Sequence, residues 1–159
     1  SLETPRTSRQ VNQRMPKHMI ELLEQQVSQR DGANIAVLGY AFKAGTDDTR
    51  NTPAIEIITQ LQNAGADVRV DDPYVPSDTV KSEVDIEPLR LPEAVDGVDA
   101  ILLVTGHEQY RSLDPTTLEN HVGVEGTVIV DGRFVFDPDE ISETTFNYVG
   151  VGRGGVTNE

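Results

Sequence analysis

The chain is predicted to fold as a three-layer α/β domain, a mainly parallel five-stranded sheet with helices on both faces. Three observations carry this. Short apolar runs such as Asn34-Ile-Ala-Val-Leu-Gly39 have the character of strands buried on both sides, which belong to parallel sheets. Segments with helical apolar spacing separate these runs, the rhythm of right-handed βαβ units. The length, 159 residues, is near the mode for one domain around one core.

The elements follow in order. Residues 1–14 are polar without an apolar period and are expected to be a linker or the tail of something upstream. Met19, Ile20, Leu22, Leu23 and Val27 recur at helical spacing. They predict an amphipathic helix from Met15 to Arg30, with Pro16 in its first turn and Asp31-Gly32 as its stop. The strand 34–39 leads into a polar loop, 40–51. Thr52 is the natural cap and Pro53 the first residue of a helix reaching about Ala64. Ile55, Ile57, Ile58 and Leu61 form its buried stripe, and Gly65 ends it. Ala66 to Val70 predicts a second strand, closed by Asp71-Asp72-Pro73. Leu91 to Val95 predicts a weak helix, Asp99 to Thr105 a third strand, and Asp114-Pro-Thr-Thr-Leu a capped helix start. Gly126 to Asp131 and Phe146 to Gly150 supply strands four and five. Pro73 to Arg90 is acidic and poorly periodic, and Arg133 to Thr145 is consistent with loop, short helix or both. The domain is therefore expected over 15–152, with 153–159 as a flexible tail.

Composition narrows the function. Asp and Glu number 27 against 13 Lys and Arg, giving a net charge of -14. Such a surface repels nucleic-acid phosphates. Only Lys17, Lys43 and Lys81 are lysines, and a carboxylate-rich surface poor in Lys suits a salt-filled cytoplasm, where screening removes self-repulsion. A halophilic host and a cytoplasmic location are expected on that ground. The chain has no Cys, which removes disulfides, thiolate metal sites and any thiol nucleophile. No apolar run approaches the roughly 20 residues of a membrane span, and no charged-then-apolar leader opens the chain. His18, His107 and His121 show no metal-ligand spacing; His107 follows the third strand, where it either lines the strands' carboxyl edge or stands on the surface, and the surface position is expected. No G-x-S-x-G elbow is present.

Ligands of open α/β sheets sit beyond the carboxyl ends of the strands, so the exit of the first strand is the most informative loop. It runs Gly39-Tyr-Ala-Phe42-Lys43-Ala-Gly45-Thr-Asp47-Asp48-Thr-Arg50-Asn-Thr-Pro53. Its two glycines do not make G-x-G-x-x-G, and Gly45 is not followed by Lys-Ser/Thr, so neither a dinucleotide fingerprint nor a P-loop is built in. The loop does carry Lys43 and Arg50 on a chain with few cations. Two uses stand side by side: binding a phosphate or diphosphate, or neutralising Asp47 and Asp48 next door. Asp131-Gly132-Arg133 after the fourth strand places another cation at the same edge, either on a ligand or exposed on a β-turn. Asp71-Asp72, without the glycine fingerprint, is expected simply to start a turn. Phe42 has two uses, stacking on a base or packing under the loop.

These residues carry a resemblance. Residues 35–54, with the pattern G-x-A-F-K-x-x-x-x-D-x-R-x-[ST]-P-A, and Val-Arg-Val-Asp-Asp-Pro-Tyr at 68–74 resemble the C-terminal domain of UDP-glucose/GDP-mannose-type dehydrogenases. Val11-Asn-Gln-Arg-Met-Pro16 is similar to that family's interdomain segment, and Val130-Asp-Gly-Arg133 to its late Arg motif. The similarity runs from about Gln10 to Gly152, and UDP-N-acetyl-D-mannosaminuronate-forming members are among those it resembles.

The resemblance implies a Rossmann-like domain that holds the nucleotide end of a UDP-sugar. Its wider context would be an NAD-dependent enzyme that oxidises the sugar C6 alcohol to the uronate through a Cys thiohemiacetal. It implies Phe42, Lys43 and Arg133 as substrate contacts and Arg50 as a residue reaching toward NAD bound on another domain. It further implies N-terminal and central domains as partners, and a homo-oligomeric full-length protein. With neither Cys nor an NAD fingerprint, this polypeptide alone is expected to be inactive. The competing reading is a non-catalytic regulatory or assembly module. A receiver domain would need acidic and Lys positions where this chain has Gly39-Tyr40, Thr105-Gly106 and Gly150-Val151.

Overall fold

The computed structural model describes residues 3–27 and 32–151, with side chains from Met15 onward. Five strands form one sheet: β1 (Asn34–Leu38), β2 (Asp67–Asp71), β3 (Ala100–Leu103), β4 (Val128–Asp131) and β5 (Asn147–Gly150). Their order is β2-β1-β3-β4-β5, and every neighbouring pair is parallel.

Period-two alternation within the strands splits the core into two layers. Ile35 and Val37 of β1, with Ala100 and Leu102 of β3 and Val128 and Val130 of β4, face one side. There they meet α1 (Glu3–Gln26) through Met19 and Leu23, α2 (Pro53–Asn63) through Ile57, Ile58 and Leu61, and α3 (Ser77–Val84) through Val80 and Val84. Ala36, Leu38, Ile101, Leu103 and Ile129 face the other side. They pack under a 3-10 turn (Glu93–Val95), α4 (Glu108–Arg111), α5 (Pro115–Val122) and α6 (Pro138–Ile141). The three-layer α/β expectation is thereby met, and each fully buried Ile or Leu contributes on the order of 2 kcal/mol by removal from water.

Local chemistry sets the helix starts. Thr52 accepts from the Ala54 amide and Pro53 opens α2; Asp114 accepts from the Thr117 amide and Pro115 opens α5. Both match the caps read from sequence. Three elements differ. α1 begins at Glu3, so Pro16 lies inside the helix and the stretch 3–14, expected as linker, continues it. α3 occupies the stretch of poor periodicity because it buries only two residues, Val80 and Val84, four apart. The weak helix at 91–95 shrinks to the 3-10 turn Glu93–Val95 behind Pro92. The expected helix end at Arg30 and the tail 153–159 lie outside the described residues.

Candidate functional site

Strand order reverses between β1 and β3, because β1 leads outward to β2 while β3 leads the other way. A crevice opens beyond the carboxyl ends at such a switch point. The segments that meet there are the β1–α2 loop (39–52), the β3 exit (104–107) and the β4 exit (132–134).

The β1–α2 loop is tied down along its length. Its first amides, Tyr40 and Ala41, donate to Asp72 Oδ2 at 2.7 and 2.9 Å. Thr105 Oγ1 donates to the Ala41 carbonyl at 2.6 Å, and Thr52 Oγ1 to the Tyr40 carbonyl at 2.6 Å. The Tyr40 hydroxyl reaches Glu83 Oε1 on α3 at 2.7 Å. Burial and that carboxylate push the Tyr40 phenol far above its ordinary value, so it remains a donor. At the far side of the loop, the Phe42 amide bonds the Asp48 carbonyl at 2.7 Å. The loop is thus pre-formed.

Asp72 is the anchor. It is 5% exposed, and its Oδ1 also accepts from the Tyr74 and Val75 amides at 2.8 and 3.1 Å. His107 completes the set. Its ring is fully buried, where the sequence reading expected a surface position; packing against Tyr74 (4.8 Å between ring centres) and Tyr110 (5.7 Å) removes it from solvent. The Gly45 amide donates to His107 Nδ1 at 2.9 Å, so Nδ1 is an acceptor and Nε2 carries the hydrogen that meets Asp72 Oδ2 at 2.9 Å. Burial opposes ionisation of Asp72, yet the bonds from His107 and the Tyr40, Ala41 and Tyr74 amides outweigh it and hold the carboxyl at about 2. Asp72 does start a turn, as expected, and it also joins three loops.

Asp71 has the opposite fate. Burial raises its carboxyl above the ordinary value, against the Tyr110 hydroxyl at 2.7 Å and the Arg90 guanidinium at 3.4 Å.

The β4 exit is shaped by Asp131, fully buried. It accepts from the Arg133, Val135 and Phe136 amides at 3.0 to 3.1 Å and from the Tyr148 hydroxyl at 2.7 Å. Arg133 leaves this turn half-buried, with its Nε donating to the Val104 carbonyl at 3.0 Å. Arg111 clamps the same turn through the Gly106, Arg133 and Phe134 carbonyls.

The predicted site residues fall as follows. Phe42 is half-buried, and Lys43 is exposed on the loop. Arg133 stands at the same sheet edge and forms no ion pair among the described residues. Burial pulls its guanidinium below the ordinary arginine value, the signature of a desolvated cation without a compensating anion. Arg50 is also exposed, but its Nε and Nη2 grip both oxygens of Asp48 at 3.0 Å, and the Arg50 bonds draw Asp48 down to about 2. Of the two loop cations, Arg50 is paired with Asp48, while Lys43 forms no ion pair among the described residues although its charge also helps lower the Asp48 carboxyl. What the sequence reading missed is the supporting cast of His107, Asp72 and Asp131. The bonds from Tyr40, Ala41 and His107 to Asp72, and from Gly45 to His107, span 31 to 62 residues, so no local spacing signals them.

No group of His, Asp and Glu able to hold a metal occurs among the described residues, and no described helix is long and apolar enough to cross a membrane. A hollow of about 280 Å³ lies at the opposite end of the sheet. Glu119, Glu125 and Thr145 are part of its lining, an acidic wall unsuited to an anion.

Comparison with known proteins places this geometry. The pattern of the UDP-glucose/GDP-mannose dehydrogenase family, UDP binding domain, matches residues 36–138. A UDP-N-acetyl-D-mannosamine dehydrogenase of Pyrococcus horikoshii is 34% identical over 155 residues, covering 95% of this chain and 34% of the relative. A UDP-glucose 6-dehydrogenase of Rhizobium meliloti is 36% identical over 77% of this chain and 28% of its own length. The crystal structure of an NDP-N-acetyl-D-galactosaminuronic acid dehydrogenase from Methanosarcina mazei superposes with a TM-score of 0.80 at 38% identity, over 91% of this chain and 30% of that one. The chain thus spans about a third of the length of the relatives it matches. The match covers both the Lys43 loop and Arg133, and the chain belongs to the UDP-glucose/GDP-mannose dehydrogenase family as its UDP binding domain.

Proposed function

We propose that this chain binds the nucleoside diphosphate of a UDP-sugar at the β1, β3 and β4 exits, as part of an NAD-dependent dehydrogenase that oxidises a sugar C6 alcohol to the uronate. The observation that carries the reading is Arg133, a half-buried guanidinium with no carboxylate partner among the described residues. A guanidinium in that state has given up part of its hydration, which an arriving anion compensates, and its planar donor fork suits diphosphate oxygens. Lys43 supplies a second charge from the pre-formed loop, and Phe42 borders the nucleotide.

In this reading no NAD site lies at the β1 exit. At Gly39 an added Cβ would lie 2.5 Å from Thr105 Cβ and 2.6 Å from its backbone nitrogen. The close approach the glycine permits is therefore used by β3 rather than left for a pyrophosphate. Arg50, exposed at the loop's edge, is the residue proposed to face NAD carried by another domain. That domain, a central helical domain continuing from residues 1–14 and a homo-oligomeric cytoplasmic enzyme complete the reading. The family's thiol nucleophile is not supplied by these residues, which include no Cys, so the chain alone is proposed to be inactive.

Calorimetric titration tests the reading. The 159-residue chain is expected to bind UDP-glucose or UDP-N-acetylmannosamine weakly, and Arg133→Met to bind about tenfold or more weakly than that, the loss of a charge-assisted pair. Equal heats from wild type and variant would remove Arg133 from the site.

A further inference from the structure

We propose that His107 is a positioning residue for the diphosphate site, its Nδ1 holding the Gly45 amide and so fixing the turn that presents Lys43. The inference rests on the nucleotide-sugar reading for its ligand, and on this structure alone for its geometry. Lys43 and Gly45 belong to one tight turn: the Thr46 amide and hydroxyl both bond the Lys43 carbonyl, at 3.4 and 2.9 Å. Gly45 adopts φ +76° with no neighbouring atom within 4 Å of where a Cβ would stand. Nothing packs against the glycine from that side. The link that ties the turn to the body of the domain is Gly45 N–H to His107 Nδ1, 2.9 Å across 62 residues.

The imidazole can serve this way because its orientation is fixed from behind. Asp72 takes the Nε2 hydrogen, which leaves the Nδ1 lone pair pointing at the loop. The Tyr74 and Tyr110 rings hold the plane. Asp72 in turn is fixed by four backbone amides. The arrangement therefore runs from Asp72 through His107 to Gly45 and Lys43, linking the β2 and β3 exits to the loop cation that forms no ion pair among the described residues. Fixing a charged side chain's base before the ligand arrives lowers the ordering cost of binding.

Two isosteric variants separate the two ring nitrogens. His107→Asn places an amide oxygen near the Nδ1 position and keeps an acceptor for Gly45. His107→Gln places an amide nitrogen near Nε2, keeping the donor to Asp72 while losing the Gly45 acceptor. Binding of UDP-glucose is expected to stay within about threefold in His107→Asn and to weaken about tenfold in His107→Gln, one buried hydrogen bond's worth. Backbone order parameters at 43–46 are expected to fall in His107→Gln alone. Equal behaviour of the two variants, in either direction, overturns the proposal. Should both unfold, the wild type decides: a scalar coupling between the Gly45 amide nitrogen and His107 Nδ1 is expected, and its absence refutes the link. If wild type binds no UDP-sugar, the functional reading fails, while the order parameters and coupling still judge the positioning.

Discussion

Replacing Gly39 by alanine is expected to destabilise the domain by about 3 kcal/mol, combining the strain of a left-handed non-glycine residue with overpacking at a rigid contact. Gly39 ends β1 at φ +96°, and its amide bonds the Asp71 carbonyl at 2.8 Å. An added methyl would stand 2.5 to 2.7 Å from three Thr105 atoms, one of them backbone. Thr105 cannot retreat freely, because its hydroxyl holds the Ala41 carbonyl and its segment continues β3. A comparison isolates the crowding. Gly123 has φ +72° with open space where a Cβ would go, so Gly123→Ala is expected to cost only about 1 kcal/mol, the strain alone. Urea unfolding of the two variants measures the difference; equal midpoints would mean that β1 and β3 part easily at the switch point.

Loss of the Asp72 carboxylate is expected to be at least as damaging, about 3 to 5 kcal/mol for Asp72→Ala. Four amides and a buried imidazole N–H would be left without an acceptor, and each stranded donor costs on the order of 1 kcal/mol or more. The same carboxylate gives stability an acid limb. Its folded value, about 2, lies below the ordinary 3.8, so between those values the unfolded chain binds the proton that the folded chain refuses. The contribution, about 2 kcal/mol, is fully present above pH 4 and is lost as pH falls through 2. Asp71, raised by burial, acts in the opposite sense: its contribution is present at low pH and is lost as pH rises through its folded value. Denaturant unfolding from pH 2 to 5 is therefore expected to show a shallower acid limb in Asp72→Ala than in wild type. Parallel limbs would mean that Asp72 is not the carboxylate responsible.

The sheet was legible because buried parallel strands leave little choice of residue: Ile35–Leu38, Ala100–Leu103 and Val128–Val130 are apolar without interruption. Helix starts were legible where a capping side chain precedes proline, at Thr52 and Asp114. Continuation of α1 back to Glu3 was not, since that stretch is polar in sequence and has no apolar period. The loop cations could be found from charge scarcity, and the pairing of Arg50 with Asp48, two residues apart, was one of two uses visible locally. His107 was misplaced for a different reason. Its burial depends on Tyr74, Tyr110 and Asp72, and only strand order 2-1-3 brings the β2 and β3 exits beside the β1 loop. Arg133 likewise bonds the Val104 carbonyl of the adjacent exit, 29 residues away in sequence. Topology supplies what linear spacing lacks.

The central claim is that anionic ligand oxygens enter at the carboxyl edge between Lys43 and Arg133. Mapping amide shifts of the isotopically labelled chain during addition of UDP-glucose tests it most directly. Saturable changes confined to 42–46, 104–107 and 132–134 are expected. Changes centred on the acidic hollow near Glu119 and Thr145, or none at millimolar ligand, would contradict it.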